Sequence, residues 1–340
     1  MISLKTNYMG LELKNPVIVG ANDLITEPEN LKRIEKLGAG AIVFKSLFEE
    51  QFQLENLEYY EQRKEYEERH AEMITLYPES DKEPQQPVEH LMKLKKAKES
   101  LSIPLIASLN AVNDESWVNF AVEIEKTGVD GLELNYYTIP EKSGEKYDET
   151  EKNQVKILKK VTSAVKIPVA VKLSPYYSNP LKLISELENA GAQAFVLFNR
   201  LFQPDIDPEE EKFRFPYNLS SPGDSRLPLR FAGLLYGNTK SSVCTSSGIF
   251  TGHDVIKMLL AGADCVQVVS TLYQNHLEVL GSILEDIETW MKKKGYNSID
   301  SFRGKLSGKT SEHKLPYHRA QYIDFRLSTS AILKKYKTIH

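Results

Sequence analysis

Six apolar runs in this chain each end in a polar residue: AIVFK at Lys45, PLIASLN at Asn110, GLELN at Asn135, PVAVKLS at Lys172, AFVLFN at Asn199, and VQVVS at Ser270. Runs of four to seven apolar residues without polar alternation describe strands covered on both faces. Helical patterns separate most of them, and alternating strands and helices are what a parallel sheet closed by crossovers requires. In a closed (β/α)8 barrel the carboxyl ends of the strands form the active-site face, so the polar side chains that end these runs converge on one pocket.

Eight strands can be placed in this way. The first six are residues 16–21, 41–45, 104–109, 131–135, 168–173 and 194–198; SVCTS at 242–246 and CVQVV at 265–269 complete the set. Helices are expected over 29–37, 115–126, 151–165, 180–189, 253–262 and 275–293, and a short hairpin around Asn7 and Gly10 would close the barrel floor. The phrases TGVDGL, AGAQAF and AGADCV recur just before strands, where a glycine stops the helix and the chain turns into the sheet. The expected architecture is a single TIM-barrel domain over residues 1–340, with insertions at about 49–87 and 200–235 that leave carboxyl ends of strands and can cover the pocket.

Charge and cysteine usage narrow the function. A formal net charge of -4 gives no electrostatic footprint for nucleic acid. The chain has no run of 18 apolar residues and its first residues do not read as a secretory signal, so the expected location is the cytoplasm, with no membrane partner. Cys244 and Cys265 lie in apolar runs and are expected as small core residues. The seven histidines show no ligand spacing on a shared face, so no metal site is expected. The run LEYYEQRKEYEERH at 57–70 reads as a solvated helix face.

The strand-end residues carry the chemistry. Lysine is seldom buried unpaired, so Lys45 and Lys172 call for an anionic ligand, an internal ion pair with a carboxylate such as Glu133, or an ammonium group that reaches solvent. Asn110, Asn135 and Asn199 offer paired donors and acceptors suited to the edge of a planar heterocycle, or to capping a turn. The segment TSSGIFTG at 245–252, together with Ser270-Thr271, occupies the position where barrels of this kind bind phosphate.

From KNPVIVGAN through IVFKS, LELN, VAVKLSPYY, SSGIFTGHD and LLAGADCVQV to MKKKGYNSIDSFRGKL, the chain resembles the class 1 dihydroorotate dehydrogenases, flavin mononucleotide (FMN) enzymes on an α/β barrel. VKLSPYY and the last of these segments are the more specific matches. The resemblance implies FMN as cofactor, lined by Ala21, Lys45, Ser46, Ser108, Asn135 and Lys172, with its phosphate held by Ser247, Gly248, Ser270 and Thr271. It also implies a small dihydropyrimidine substrate facing Lys45, Asn135 and Asn199, hydride transfer to flavin N5, and a homodimer. Lys172 would lie near the ring edge where negative charge develops on reduction.

The chain departs from the family pattern on the substrate side. The strand-four loop of the family reads Asn-Leu-Ser-Cys-Pro-Asn with cysteine as base; here it reads Asn135-Tyr136-Tyr137-Thr138-Ile139-Pro140. Thr138 therefore takes the position of the base, and a hydroxyl needs a relay that a thiol does not. The family's second substrate-binding loop has no counterpart in 49–87, and Ser247 and Val269 replace glycines at the phosphate. Three rival readings are a non-redox barrel using a Schiff-base lysine, a tRNA-reducing flavin barrel, and a non-catalytic flavin- or nucleotide-binding relative.

Overall fold

The computed structural model describes residues 2–50, 87–137, 147–201, 203–214, 219–311 and 317. A closed barrel of eight parallel strands forms the centre. Its strands are β3 (Val17–Val19), β4 (Ala41–Val43) continued by β5 (Leu47–Phe48), β6 (Leu105–Asn110), β7 (Gly131–Asn135), β8 (Val169–Leu173), β9 (Ala194–Leu197), β12 (Ser242–Ser246) and β13 (Cys265–Val268). Pairing of β4 with β6 and of β13 with β3 closes the ring.

Strand two differs from the single run expected, because its ladder breaks at residues 44–46 before β5 resumes pairing with β6. A helix over Val88–Ser100 and another over Arg226–Leu235 complete the crossovers after strands two and six. Neither was expected from the sequence, since both adjoin stretches whose composition obscures helical periodicity. The closing helix is two pieces, Ser270–Asn275 and Val279–Lys294, separated at His276, which adopts φ 60°. The strand-six insertion forms a small antiparallel hairpin, β10 (Asp205–Asp207) with β11 (Lys212–Arg214).

The strands alternate as their twofold side-chain period demands. Val17, Ile42, Leu132, Val171 and Phe195 face the helices, while Ile18, Ala41, Ile106, Ala170, Val196, Cys244 and Cys265 fill the barrel interior. Below them β1 (Thr6–Tyr8) and β2 (Leu11–Leu13) form the floor hairpin, and its Tyr8, Met9 and Leu13 plug the barrel from the amino-terminal end. Each fully buried side chain of this kind contributes about 1.5–3 kcal/mol.

The sequence repeats have a physical cause. Their fourth residues accept an N–H from the start of the preceding strand: Leu105 donates to Asp130 at 2.8 Å, Val169 to Gln193 at 3.0 Å, and Val243 to Asp264 at 2.7 Å. A second set of carboxylates, near helix ends, holds the N–H pairs that lead into alternate strands. Glu35 takes Ser102 and Ile103, Glu125 takes Lys166 and Ile167, and Glu188 takes Lys240 and Ser241. These anchors satisfy backbone donors at the barrel floor that the ladder leaves open, and so fix where each strand starts. The opposite strand ends are set by the same register.

Candidate functional site

Register decides which polar side chains meet. Asn135 pairs with Lys172 across β7 and β8, and Glu133 pairs with Ser108 on β6. Since side chains one residue apart point to opposite faces, Glu133, Asn135 and Lys172 all point inward, with Glu133 one layer below Asn135. At the carboxyl end of β9, the Asn199 side-chain amide donates to Asn135 Oδ1. Ser46 and Ser108 share a buried hydrogen bond of 2.6 Å between their hydroxyls.

Two adjoining cavities open on this face. The inner one, about 180 Å3, is lined by Ala21, Lys172, Asn199, Ser246 to Ile249, Gln267, Val269 and Ser270, among others. The outer one, about 370 Å3, carries Tyr176, Arg200, Asp224, Arg226 and Leu227. Phe198, Asn199, Arg200 and Ser247 belong to both walls, so the two form one cleft. Among the described residues no group of His, Cys, Asp and Glu could hold a metal ion, and no helix is long and apolar enough to cross a membrane.

Lys172 is at once a cleft residue and half of an ion pair. Its Nζ donates to Gln267 Oε1 at 3.1 Å and lies 3.7 Å from Glu133 Oε1. Of the readings open in the sequence, the structure shows the internal pair with Glu133, and it places the same lysine in the cleft wall. Lys45 is different: it bridges to Asp23 at 2.6 Å, its side chain is 37% exposed, and it lines neither cavity. The ladder break at residues 44–46 accompanies this outward placement.

Hydroxyls and one backbone amide gather at the other end of the inner cavity. Ser220 donates to Ser270 Oγ through its N–H at 2.8 Å and sits 2.9 Å from it through its own hydroxyl, while the Gly248 N–H donates to Ser220 Oγ at 3.1 Å. Ser247 has φ 77° and Gly248 φ 72°, so two successive residues take the left-handed conformation. At Gly248 a Cβ would meet the Ser225 nitrogen at 2.3 Å, which makes glycine obligatory there through packing of the insertion. Val269, which replaces a glycine of the family pattern, leans over Gly20: a Cβ at Gly20 would lie 2.9 Å from its methyl.

Not every expected residue reaches the cleft. Thr271 is fully buried, its hydroxyl directed at the Phe250 carbonyl and accepting from Asn275, so its side chain is taken up in packing. Asn110 ends β6 as a buried residue beside Phe48 of β5. Thr138 and Pro140 lie outside the described residues, as does nearly all of the 49–87 insertion.

The sequence reading did not single out Gln267, Ser220 or Arg200. Gln267 carried a signal, being the one polar residue inside the run CVQVV at an inward position counted from Cys265. Arg200, directly after Asn199, pairs with Asp224 at 2.8 Å. Burial pushes the Asp224 carboxyl up, but the Ser221 N–H and the Arg200 charge outweigh it and hold Asp224 below the ordinary carboxylate range. Near strand two, burial and then the Lys45 charge lower His90 to about 4, so this imidazole is neutral at pH 7.

A family model described as "Dihydroorotate dehydrogenase" matches residues 3–291. The chain is 27% identical over 307 residues to the "Dihydroorotate dehydrogenase B (NAD(+)), catalytic subunit" of Pyrococcus furiosus, covering 89% of this chain and 98% of that one. It is 28% identical over 314 residues to the protein of the same description from Methanosarcina acetivorans, covering 88% of this chain and 94% of that one. With the closed barrel and the polar strand ends already in place, this match over most of the chain shows that it belongs to the dihydroorotate dehydrogenase family, FMN-dependent oxidoreductases that act on CH–CH bonds.

Proposed function

We propose that the chain forms one FMN-binding barrel domain that oxidises dihydroorotate or a related dihydropyrimidine in pyrimidine biosynthesis. The observation that carries this reading is the cleft itself. It has a fixed cation, Lys172, in its wall, Asn199 with Asn135 hydrogen-bonded behind it at the strand ends, and the Ser220, Gly248 and Ser270 donors at one end. That donor set fits FMN: hydroxyls and an N–H suit a phosphate, and a buried ammonium suits a ring edge that becomes negative.

In this reading Ala21, Ser46, Ser108, Asn135 and Lys172 surround the ring, while Ser247, Gly248, Ser270 and the Thr271 backbone border the phosphate. Bound FMN supplies the two-electron acceptor. The protein's own part is to orient the substrate with Asn135 and Asn199, to hold positive charge with Lys172 and, from the mouth, Lys45, and to relay a proton through the Thr138 hydroxyl, which passes its own proton on to water as it accepts the substrate's.

The test is anaerobic mixing of FMN-loaded protein with dihydroorotate and, separately, dihydrouracil, following loss of the flavin absorbance band. Reduction by either supports the reading. Failure of the protein to take up FMN sinks the cofactor assignment, whereas uptake without reduction by either compound favours another substrate or a non-catalytic relative. Replacing Thr138→Ala is expected to slow reduction by about 10²–10⁴-fold if Thr138 is the base, and unchanged reduction removes it from that role. The homodimer belongs to the same proposal, and light scattering during gel filtration measures it directly, while fractionation of cells tests the cytoplasmic location.

A further inference from the structure

Below the cleft the barrel interior is not apolar throughout. Glu133 and Gln267 are each 1% exposed, and they face each other across the barrel from β7 and β13. Gln267 Nε2 donates to Glu133 Oε2 at 2.5 Å while Gln267 Oε1 accepts from Lys172 at 3.1 Å, and Lys172 Nζ lies 3.7 Å from Glu133 Oε1. The three side chains therefore form a closed triangle. Among the described residues, neither Glu133 Oε1 nor the buried Tyr8 hydroxyl beneath has a hydrogen-bond partner.

A carboxylate in such a place is costly, and a buried acid is tolerated where a charge opposite it needs an anion. Glu133 itself lines neither cavity. Glu133 can keep a charge there because an ammonium group faces it, so its effect on a ligand depends on that group. Gln267, by contrast, reaches the cavity wall and spans both partners, so it fixes the Nζ position as well as the separation of the two charges.

We propose that Glu133 and Gln267 are positioning residues that set the field Lys172 presents to the cleft, and through it the reduction potential of the flavin. This rests on the reading that the cleft holds FMN. Glu133 partly cancels the Lys172 charge, so the ring edge meets less than a full cation and the reduced, negatively charged flavin is stabilised less than it would be by Lys172 alone.

The experiment is a double-mutant cycle on the midpoint potential of FMN-loaded protein, using wild type, Glu133→Gln, Lys172→Met and the double variant. Glu133→Gln is expected to favour reduced flavin about tenfold, about 30 mV for a two-electron couple, and by less than twofold when Lys172 is already methionine. Gln267→Met, which leaves both charges in place but unfixed, is expected to shift the potential too, and it serves if Glu133→Gln does not fold. Equal shifts by Glu133→Gln in both backgrounds, no shift, or a shift toward oxidised flavin overturns the proposal while leaving FMN binding intact. A wild-type protein that takes up no FMN overturns the cofactor reading and this proposal with it.

Discussion

Ser247 and Gly248 share nearly the same φ, 77° and 72°, yet opposite substitutions at the two positions should have opposite effects. A non-glycine residue in the left-handed region costs about 1–2 kcal/mol. Replacing Ser247→Gly removes that cost and restores about 0.5–1 kcal/mol of unfolded-chain entropy. The net expectation is a chain more stable by about 0.5–1 kcal/mol. Replacing Gly248→Ala incurs the left-handed cost and adds a clash: its Cβ would lie 2.3 Å from the Ser225 nitrogen and 2.9 Å from the Ser221 carbonyl oxygen, both backbone atoms unable to swing aside. Overpacking of this kind adds about 1–3 kcal/mol, for a total loss of about 2–4 kcal/mol. Equilibrium urea unfolding followed by the fluorescence of Trp117 and Trp290 reads both changes. It should be done on cofactor-free protein, because a bound ligand would add its own linkage to apparent stability. Loss of more than 1 kcal/mol in Ser247→Gly, or a change under about 0.5 kcal/mol in Gly248→Ala, would refute the backbone argument.

The floor anchors make a second expectation. Glu188 accepts from Thr239, Lys240 and both the N–H and hydroxyl of Ser241, so Glu188→Ala should cost about 2 kcal/mol after allowance for solvent reaching these donors, measured by the same unfolding curves. Lys172→Met leaves the buried Glu133 without its counter-charge and should cost about 3–5 kcal/mol, most of it recovered when Glu133→Gln is added; a cost below 1 kcal/mol would mean that the pair is not coupled. Stability should be level between pH 7 and 8 and then fall in two stages. His90, lowered to about 4, binds a proton in the unfolded chain below ~6.5 but not in the folded one, so the first loss runs from there down to about 4 and should vanish in His90→Phe. Glu35, Glu49, Glu188 and Asp254 are opposed by burial but held low by N–H and hydroxyl donors, or by Lys257 in the case of Asp254. Their contribution is complete above ~4.3 and is lost as pH falls through their lowered folded values, which gives the steeper second stage.

The strand positions and the end of the barrel where polar side chains gather were legible in the chain, because a buried parallel strand needs a run of apolar residues and a polar residue at its end marks where burial stops. Asn135, Lys172, Asn199 and Ser270 could be picked out on that ground alone. The repeats TGVDGL, AGAQAF and AGADCV were visible as strings, but their reason, one polar side chain stapling a strand entry, needed partners 21 to 25 residues away in the chain. Lys45 and Lys172 looked alike as strand ends and diverged only when the ladder broke beside Lys45. The Thr271 hydroxyl looked like a ligand group and is turned instead toward Phe250 and Asn275, since the direction of a hydroxyl depends on the helix that follows it. The Glu133–Gln267–Lys172 triangle joins residues from β7, β8 and β13, and Ser220 reaches Ser270 from an insertion 50 residues earlier. Local sequence determined which segments are strands and which of their residues face inward; only closure of the barrel, which sets strands distant in sequence a few ångströms apart, decided which inward charges meet.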